Sequence, residues 1–128
     1  QQVGFLKQLQ QSQFALSMLA YPSTKSFPIT ADNLSGSVLL DKERNNIALV
    51  MWRLPVLPEG QTYQAWLIQP DGHRVSAGLF RPQENTSYTT QPIFSKEALK
   101  DFVGIGVTVE PAGGSDQPTG PRVFKVDF

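Results

Sequence analysis

The chain has 128 residues, of which 40% are hydrophobic and 17% charged, and this length and composition indicate one domain with its own core. Eleven basic residues balance eleven acidic residues, and the zero net charge argues against a nucleic-acid partner and against a polybasic membrane surface. The absence of cysteine excludes disulfides and thiolate metal sites. No run of about 20 apolar residues and no signal peptide is visible, so the sequence predicts no membrane-spanning helix.

Residues 1–20 are predicted to form a helix, because no proline interrupts them and their Gln, Leu, Lys, Ala and Met residues favour helix. A seven-residue repeat with one polar member runs along it: Phe5, Leu9, Ser12, Leu16 and Leu19. Such a helix needs a partner for its apolar stripe. Three partners fit: the chain's own domain, a second copy, or a membrane helix that this helix continues.

Residues 21–36 contain two prolines and no clear periodicity, so they are predicted to be a linker. From residue 37 the pattern changes to short apolar runs with a period of two, which is typical of strands. The predicted strands are 37–40, 46–54, 62–69, 74–80, 87–91, 103–110 and 122–128. Residues 46–54 are apolar on both faces, which predicts a central strand covered on both sides.

These elements predict a mainly β fold, an antiparallel β-sandwich or barrel-like domain with an N-terminal helix and one short helix. The short helix is expected at residues 95–102, with Ser95 as its N-cap and Glu97 in its first turn. The predicted organisation is a helix at 1–20, a linker at 21–36 and a β domain at 37–128.

Few residues suggest catalysis or metal binding. His73 is the only histidine and lies beside Gly72 at a predicted turn, without the HxH or HxxxH spacing of a metal site. The carboxylates are scattered in or beside turns, where aspartate is common for backbone reasons. We therefore predict no catalytic residue, no metal ligand and no cofactor, and we do not expect an enzyme.

The stretch "VTVEPAGGSDQPTGP" (107–121) begins as a strand and becomes a loop of glycines, prolines and small polar residues. It lacks the lysine of a P-loop and leads into a strand rather than a helix, so it does not have the mechanics of a phosphate cradle. A connection that fixes two strands is the first interpretation, and a loop that contacts a ligand or partner is the second. Glu110 is expected to accept hydrogen bonds from backbone N–H groups of the turn at Gly113–Ser115.

Two tryptophans, Trp52 and Trp66, lie in the middle of predicted strands. Strand tryptophans usually belong to the core. With Tyr63 they would instead form an aromatic groove if one sheet face is open, which leaves a glycan- or peptide-binding module as an alternative function.

Three segments together resemble one family: "LPVLPEGQTYQAWLI" (54–68), "HRVSAGLF" (73–80) and "VGIGVTVEPAGGSDQPTGP" (103–121). Their order and spacing are similar to the C-terminal, extracytoplasmic domain of bacterial anti-sigma-K factors. The resemblance covers about residues 38–128 and departs mildly at Val56, where the family often has proline. The motif residues that are candidates for partner contact are Tyr63, Trp66, Gly78, Glu110, Pro111, Gly113, Gly114, Ser115, Pro118 and Thr119.

The resemblance implies a regulatory or sensory domain on the extracytoplasmic side of the bacterial cell membrane, acting in signal transduction and transcription regulation. Its partners would be a sigma factor, bound through a cytoplasmic domain absent from this chain, the membrane, reached through an upstream helix, and a regulatory protease. Release of an extracytoplasmic-function sigma factor would follow regulated proteolysis. The helix at 1–20 would then continue outward from the membrane helix. The alternative is an exported module that binds a glycan or peptide.

Overall fold

One α-helix and eight strands account for most of the computed structural model, which describes residues 2–82 and 88–128, with side chains from residue 9 onward. In chain order they are α1 Gln2–Leu19, β1 Lys25–Ala31, β2 Leu34–Asp41, β3 Asn46–Trp52, β4 Gln61–Ile68, β5 Arg74–Phe80, β6 Tyr88–Ile93, a 3-10 helix at Leu99–Asp101, β7 Gly104–Pro111 and β8 Arg122–Asp127.

The strands form two antiparallel four-stranded sheets. The first sheet has the order β1-β2-β3-β6 and the second has the order β5-β4-β7-β8. Their inner faces share one core, to which the first sheet contributes Leu49 and Met51 and the second contributes Tyr63, Ile105 and Phe124. The two sheets stay separate, so the architecture is a sandwich, and the prediction of a mainly β fold with an N-terminal helix is confirmed.

Strand β3 is apolar on both faces because both of its faces are covered. Ile47 and Leu49 point into the core between the sheets, whereas Ala48 points outward into a second, smaller cluster. Alternate residues of a strand point to opposite faces, so each face needs its own cover. The prediction of a central strand covered on both sides is confirmed.

The outer cover of the first sheet is α1, whose side chains are described from residue 9 onward. Ala15 and Met18 are buried against Leu39 of β2 and Ala48 of β3. Residues three apart lie on the same face of a helix, which places Ala15 and Met18 together on the sheet. The helix therefore packs on its own domain, the first of the three partners that the sequence left open.

The predicted leucine stripe is not the face that packs. Leu9, Leu16 and Leu19 are 43%, 65% and 61% exposed. Each residue turns a helix by about 100°, so Leu16 lies well away from its buried neighbour Ala15. Phe5, the first member of the repeat, lies outside the residues whose side chains are described.

A polar clamp at Asp41 holds the chain where α1 leads into β1. The buried Asp41 carboxylate accepts a hydrogen bond from the Ser23 hydroxyl at 2.8 Å and another from the Arg44 N–H at 3.1 Å. The Arg44 guanidinium lies 3.7 Å from the centre of the Tyr21 ring. The Thr24 hydroxyl donates to the last turn of α1. These contacts fix the end of α1 against the turn between β2 and β3.

The clamp also explains the acidity of Asp41. Burial alone would raise the pKa of this carboxyl group, but the hydrogen bonds from the Ser23 hydroxyl and from the backbone N–H groups of Arg44 and Glu43 outweigh it. The pKa of Asp41 therefore lies below its ordinary value, and the group is an anion at neutral pH.

The linker prediction is wrong for residues 25–31, which form β1, the edge strand of the first sheet. Its residues pair with β2 in register, with Phe27 opposite Val38 and Ile29 opposite Gly36. The proline at position 28 hid this strand in the sequence. An edge strand tolerates proline because only one of its sides takes part in the hydrogen-bond ladder.

The short helix predicted at residues 95–102 is present only as the 3-10 helix Leu99–Asp101, so its predicted extent is wrong. Ser95 does not cap a helix, and its hydroxyl instead bonds the backbone of Glu97 in a local turn. Leu99 and Phe102 are both buried. A 3-10 helix has three residues per turn, so this spacing brings both side chains to the core.

We expect Met18→Ala to make the docking of α1 on the sheet less favourable by about 2 kcal/mol, because it removes a buried side chain and leaves a cavity. Urea unfolding and hydrogen exchange of the α1 amides measure this. The matched control is Leu16→Ala on the same helix, whose side chain is 65% exposed. It should change the free energy by less than about 0.5 kcal/mol. Equal effects of the two substitutions would contradict the docking face described here.

Candidate functional site

The motif residues meet on the outer face of the second sheet, beneath the connection between β7 and β8. We call this connection, residues 112–121, the strap. In β4 the residues Thr62, Gln64 and Trp66 point outward, and in β7 they are joined by Thr108 and Glu110. All five are buried, although the outer face of a sandwich is usually open to water. The strap bonds two of them directly, Gln64 and Glu110.

Tight turns and backbone contacts set the path of the strap. It starts with a turn closed by a hydrogen bond of 2.8 Å from the Gly114 N–H to the Pro111 carbonyl. Gly113, the third residue of that turn, has φ +92°, which strongly favours glycine. A Cβ atom on Gly114 would lie 2.8 Å from Leu79, so this position also has little space for a side chain. At the other end, the Val109 N–H donates to the Pro121 carbonyl at 3.0 Å.

The Glu110 carboxylate anchors the strap. It accepts hydrogen bonds from the hydroxyl groups of Thr108 at 2.6 Å, Ser115 at 2.8 Å and Thr119 at 2.5 Å. It also accepts from the backbone N–H groups of Thr119 at 3.0 Å and Gly120 at 3.2 Å. The side chain is 1% exposed. One carboxylate thus binds both the beginning and the end of the strap.

The predicted donors to Glu110 differ from the observed ones. The sequence suggested backbone N–H groups of Gly113–Ser115, whereas the observed backbone donors are Thr119 and Gly120. Ser115 contributes its hydroxyl, because its own N–H is used by Gln64. The role predicted for Glu110 as an acceptor for the loop is confirmed, with these other donors.

The environment of Glu110 makes it strongly acidic. Burial alone would raise the pKa of its carboxyl group, but the hydroxyl groups of Thr108, Thr119 and Ser115 and the Gly120 N–H outweigh burial and lower the pKa to about 2. The group is therefore ionised at any ordinary pH. An ionised carboxylate with this many donors is poorly suited to act as a general acid or base.

Gln64 fixes the strap at Ser115. Its side-chain oxygen accepts from the Ser115 N–H at 2.9 Å, and its side-chain nitrogen donates to the Ser115 carbonyl at 3.0 Å. The same nitrogen contacts the Ser76 hydroxyl at 2.8 Å. Gln64 satisfies both backbone groups of a loop residue, much as a neighbouring strand would.

Trp66 lies beneath the strap and has no exposed area. Directly opposite it on β7 is Gly106, which has no side chain and leaves space for the indole. The indole N–H donates to the Thr108 hydroxyl at 2.9 Å, and that hydroxyl donates to Glu110. The Gln117 side chain reaches the Arg74 carbonyl on β5 at 3.3 Å, so the strap crosses the whole of β4.

The aromatic groove that the sequence left open does not exist. Tyr63 is buried between the sheets, stacked on Phe80, and its hydroxyl donates to the Pro55 carbonyl at 2.6 Å. Trp66 faces the other way, under the strap. Trp52 is 45% exposed on the first sheet beside Tyr88. The three rings lie on three different surfaces, so they offer no common platform for a glycan or a peptide.

Among the described contacts, Gly78, Pro111 and Pro118, and also His73, make no hydrogen bond to the side chains of Glu110 or Gln64. Gly78 has φ +118° and lies where the register between β4 and β5 shifts, on an exposed face. Pro111 is exposed at the start of the strap and Pro118 is half-buried within it. His73 is exposed in the turn between β4 and β5, where its N–H bonds the Asp71 carboxylate.

Sequence reasoning missed the importance of Gln64 and Thr108 as members of the network. Both lie in strands in which alternate residues are polar, and a polar residue on an outer face is normally solvated. The pairing of β4 with β7 places Gln64 directly opposite Thr108. The signal that both belong to a covered face is therefore present only once the pairing of the strands is known.

Comparison with known proteins agrees with these motifs. A family model described as "Anti-sigma-K factor rskA, C-terminal" matches residues 1–122. The chain belongs to this family. The match begins at residue 1, so it includes α1 and β1, which lie before the segment on which the sequence resemblance rests. This confirms the resemblance, and the family is a regulatory one.

Several relatives are named anti-sigma-K factor RskA. The protein of Mycobacterium ulcerans (strain Agy99) is 32% identical over 106 residues, which are 83% of this chain and 44% of the relative. That of Mycolicibacterium vanbaalenii is 34% identical over 87 residues, 68% of this chain and 35% of the relative. That of Mycobacterium sp. (strain KMS) is 36% identical over 98 residues, 77% of this chain and 38% of the relative.

The chain thus spans less than half the length of the curated relatives that it matches. No solved structure matches it. Within residues 2–82 and 88–128, no helix is long and apolar enough to cross a membrane.

We expect Glu110→Ala to lower the free energy of unfolding by about 3 kcal/mol, because three hydroxyl groups and two N–H groups lose their acceptor. Chemical denaturation measures this. Glu97→Ala is the matched control, since Glu97 is an exposed carboxylate. A Glu110→Ala protein as stable as the control would show that the strap does not depend on this charge.

The same carboxylate predicts a loss of stability in acid. The folded-state pKa of Glu110 is about 2 and its ordinary value is 4.5, so its contribution is present above about pH 5 and is lost as the pH falls towards 2. The shift corresponds to about 3 kcal/mol. Glu110→Gln cannot titrate and should lack this component of the pH dependence. Denaturation curves of both proteins between about pH 6 and about pH 2 test it, and parallel pH profiles would contradict it.

Proposed function

We propose that this chain is the extracytoplasmic regulatory domain of a membrane-anchored anti-sigma factor, and that it controls release of an extracytoplasmic-function sigma factor through regulated proteolysis. The observation that carries the proposal is the family match over residues 1–122. The matched RskA relatives are more than twice as long as the segment they share with this chain. We assign sigma-factor binding and membrane anchoring to the part of the protein outside this chain.

The proposed mechanism is steric and depends on α1. In this scheme α1 continues outward from a membrane helix, so the sandwich lies close to the membrane surface. Ala15 and Met18 hold α1 on the first sheet, and the Asp41 clamp fixes its end. A protease must bind locally unfolded chain, and a docked helix becomes available only when it leaves the sheet. The docked domain therefore protects a cleavage site near the membrane.

The small size of the contact supports α1 as the element that moves. Among the residues whose side chains the structure describes, the cluster under α1 has four buried members, Ala15, Met18, Leu39 and Ala48, with Phe14 and Val50 packed against it. Twenty buried residues form the core between the sheets. Undocking of α1 exposes much less apolar area than unfolding of the sandwich, so it requires much less free energy. A signal that releases α1 need not unfold the β domain.

The strap has a supporting role in this proposal. It is bonded to the second sheet through Glu110 and Gln64, and these bonds occupy the Glu110 carboxylate. We propose no enzymatic activity for the domain. The alternative of an exported glycan- or peptide-binding module based on Trp66 loses its basis, because that side chain is fully buried.

Expression of the full-length protein with a reporter for its sigma factor tests the mechanism. We expect deletion of this domain to raise sigma-dependent transcription, and Met18→Ala to raise it partly, because each exposes the cleavage site. Immunoblotting should show more of the cleaved form.

Leu16→Ala is the control for Met18→Ala, since it changes the exposed side of the same helix. Capture of the intact protein from detergent-solubilised membranes should also recover a sigma factor in near-stoichiometric amount. Unchanged transcription and cleavage after deletion of the domain would refute the shielding mechanism.

A further inference from the structure

A groove of about 200 Å³ opens at one end of the sandwich. It lies where β1 and β8, the edge strands of the two sheets, approach each other. The side chains of Phe27, Leu40 and Phe128 form its apolar floor, and Lys25, Lys42 and Glu43 are charged groups around it. The outer-face network under the strap contributes none of these residues, so the groove is a separate feature.

The register of β1 shows that one of these lysines occupies an inward position. Lys25 lies directly opposite Leu40, and Phe27 lies opposite Val38. Leu40 and Val38 both belong to the core between the sheets. Directly opposite residues share a face, so Lys25 and Phe27 also lie on the inward face of the sheet. A cation is unusual at such a position, where apolar residues normally close the end of the core.

The lysines around the groove have no carboxylate partner. Among the described residues, the ion pair present is that of Lys125 with Asp127. The nearby Asp41 carboxylate is already bound by Ser23 and Arg44. The Lys42 ammonium group lies 5.7 Å from the centre of the Phe128 ring. The side chains that line the groove therefore include two cations, Lys25 and Lys42, and one anion, Glu43.

The floor of the groove provides the second half of a binding site. The Phe27 and Phe128 rings have their centres 5.8 Å apart and are tilted relative to each other. Ligand sites typically combine an apolar lining with a few polar groups that fix orientation. Here the polar lining includes two lysines, which favour a ligand with a negatively charged head, and the apolar lining favours an apolar body.

We propose that this groove binds a small amphipathic carboxylate. Its head group lies between Lys25 and Lys42, and its apolar body lies on Phe27, Leu40 and Phe128. Glu43 repels the head group and so limits the affinity. This proposal concerns binding by the chain itself and stands whether or not the proposed regulatory function is correct.

Titration of octanoate into the isotope-labelled chain, followed by amide NMR shifts, tests the proposal. Octanol, which lacks the charge, and inorganic phosphate, which lacks the apolar body, are the matched probes. We expect saturable shifts around residues 25–27, 40–43 and 128 with octanoate, and clearly weaker binding of the other two. Competition of phosphate with octanoate would show only that the lysines attract an anion. The comparison of octanoate with octanol shows whether the groove selects the charged head group of an apolar ligand.

Charge substitutions separate a binding site from a merely structural role of the lysines. Lys25→Gln and Lys42→Gln should each weaken octanoate binding roughly two- to fivefold, the size of an exposed ion pair. Glu43→Gln should strengthen it, an effect that damage to the fold does not produce. Lys96→Gln is the control, because Lys96 is exposed and does not line the groove.

All four substituted side chains are exposed, so we expect each variant to fold. The melting temperature of each variant checks this. The proposal is overturned by an absence of saturable shifts with octanoate. It is equally overturned if octanol binds as tightly as octanoate and the lysine and Glu43 variants leave the affinity unchanged. Either result would leave an inward lysine whose only role is to guard an edge strand against pairing with another chain.

Discussion

The buried charge of Glu110 is the constraint on which the whole outer face of the second sheet depends. An ionised carboxylate removed from water is unfavourable by several kcal/mol unless donors replace its hydration. The donors here come mainly from the strap, from Ser115 near its beginning and from Thr119 and Gly120 near its end. The carboxylate can be buried because the strap supplies its hydrogen-bond donors. The strap closes over the sheet because the carboxylate binds it. Each stabilises the other, so the loop is part of the fold.

The sandwich has covers on both outer faces, and the two covers differ in physical character. The strap is held by a charge and by directional hydrogen bonds, whereas α1 is held by a small apolar cluster at Ala15 and Met18 with a polar clamp at its end. Hydrogen bonds to a buried carboxylate fix one geometry and depend on pH. An apolar contact of a few side chains has a low opening free energy and can separate while the rest stays folded. In the proposed mechanism, therefore, α1 on the first sheet is the cover that is released, whereas the strap on the second sheet stays in place.

The sequence was most informative where one physical rule dominates. Short and alternating apolar runs identified seven of the eight strands, and the double-sided apolar pattern of β3 correctly indicated a central position. It failed where two rules compete. A proline generally argues against a strand, but an edge strand such as β1 tolerates it. The edge position of β1 follows from the strand order of the sheet, which the local sequence does not show. The leucine repeat of α1 is likewise a real pattern, but the small side chain of Ala15 allows a closer approach to the sheet than the leucines do.

The candidate site was predictable in its motifs and unpredictable in its contacts. The glycines and prolines of the strap are local signals, because a positive φ at Gly113 is a property of one turn. The partners of Glu110 are up to ten residues away, and Gln64 and Ser115 are separated by 51 positions. Contacts at such distances are determined by strand pairing, which no local pattern specifies. For the same reason the groove at the end of the sandwich has no signature in the sequence: Lys25 becomes an inward cation only through its register with Leu40.

The groove and the α1 clamp are joined through shared residues, and this links the two proposals. Ser23 lines the groove and also donates to Asp41, the residue that fixes the end of α1. Lys42 and Glu43 at the rim belong to the same turn as Arg44, which bonds Asp41 and stacks on Tyr21. A ligand whose binding requires the clamped geometry of this turn would bind the docked form of α1 more tightly than the undocked form. By reciprocity, the ligand then stabilises docking by the same factor. Binding at the groove would therefore favour the protected state of the domain, and loss of the ligand would favour release of α1.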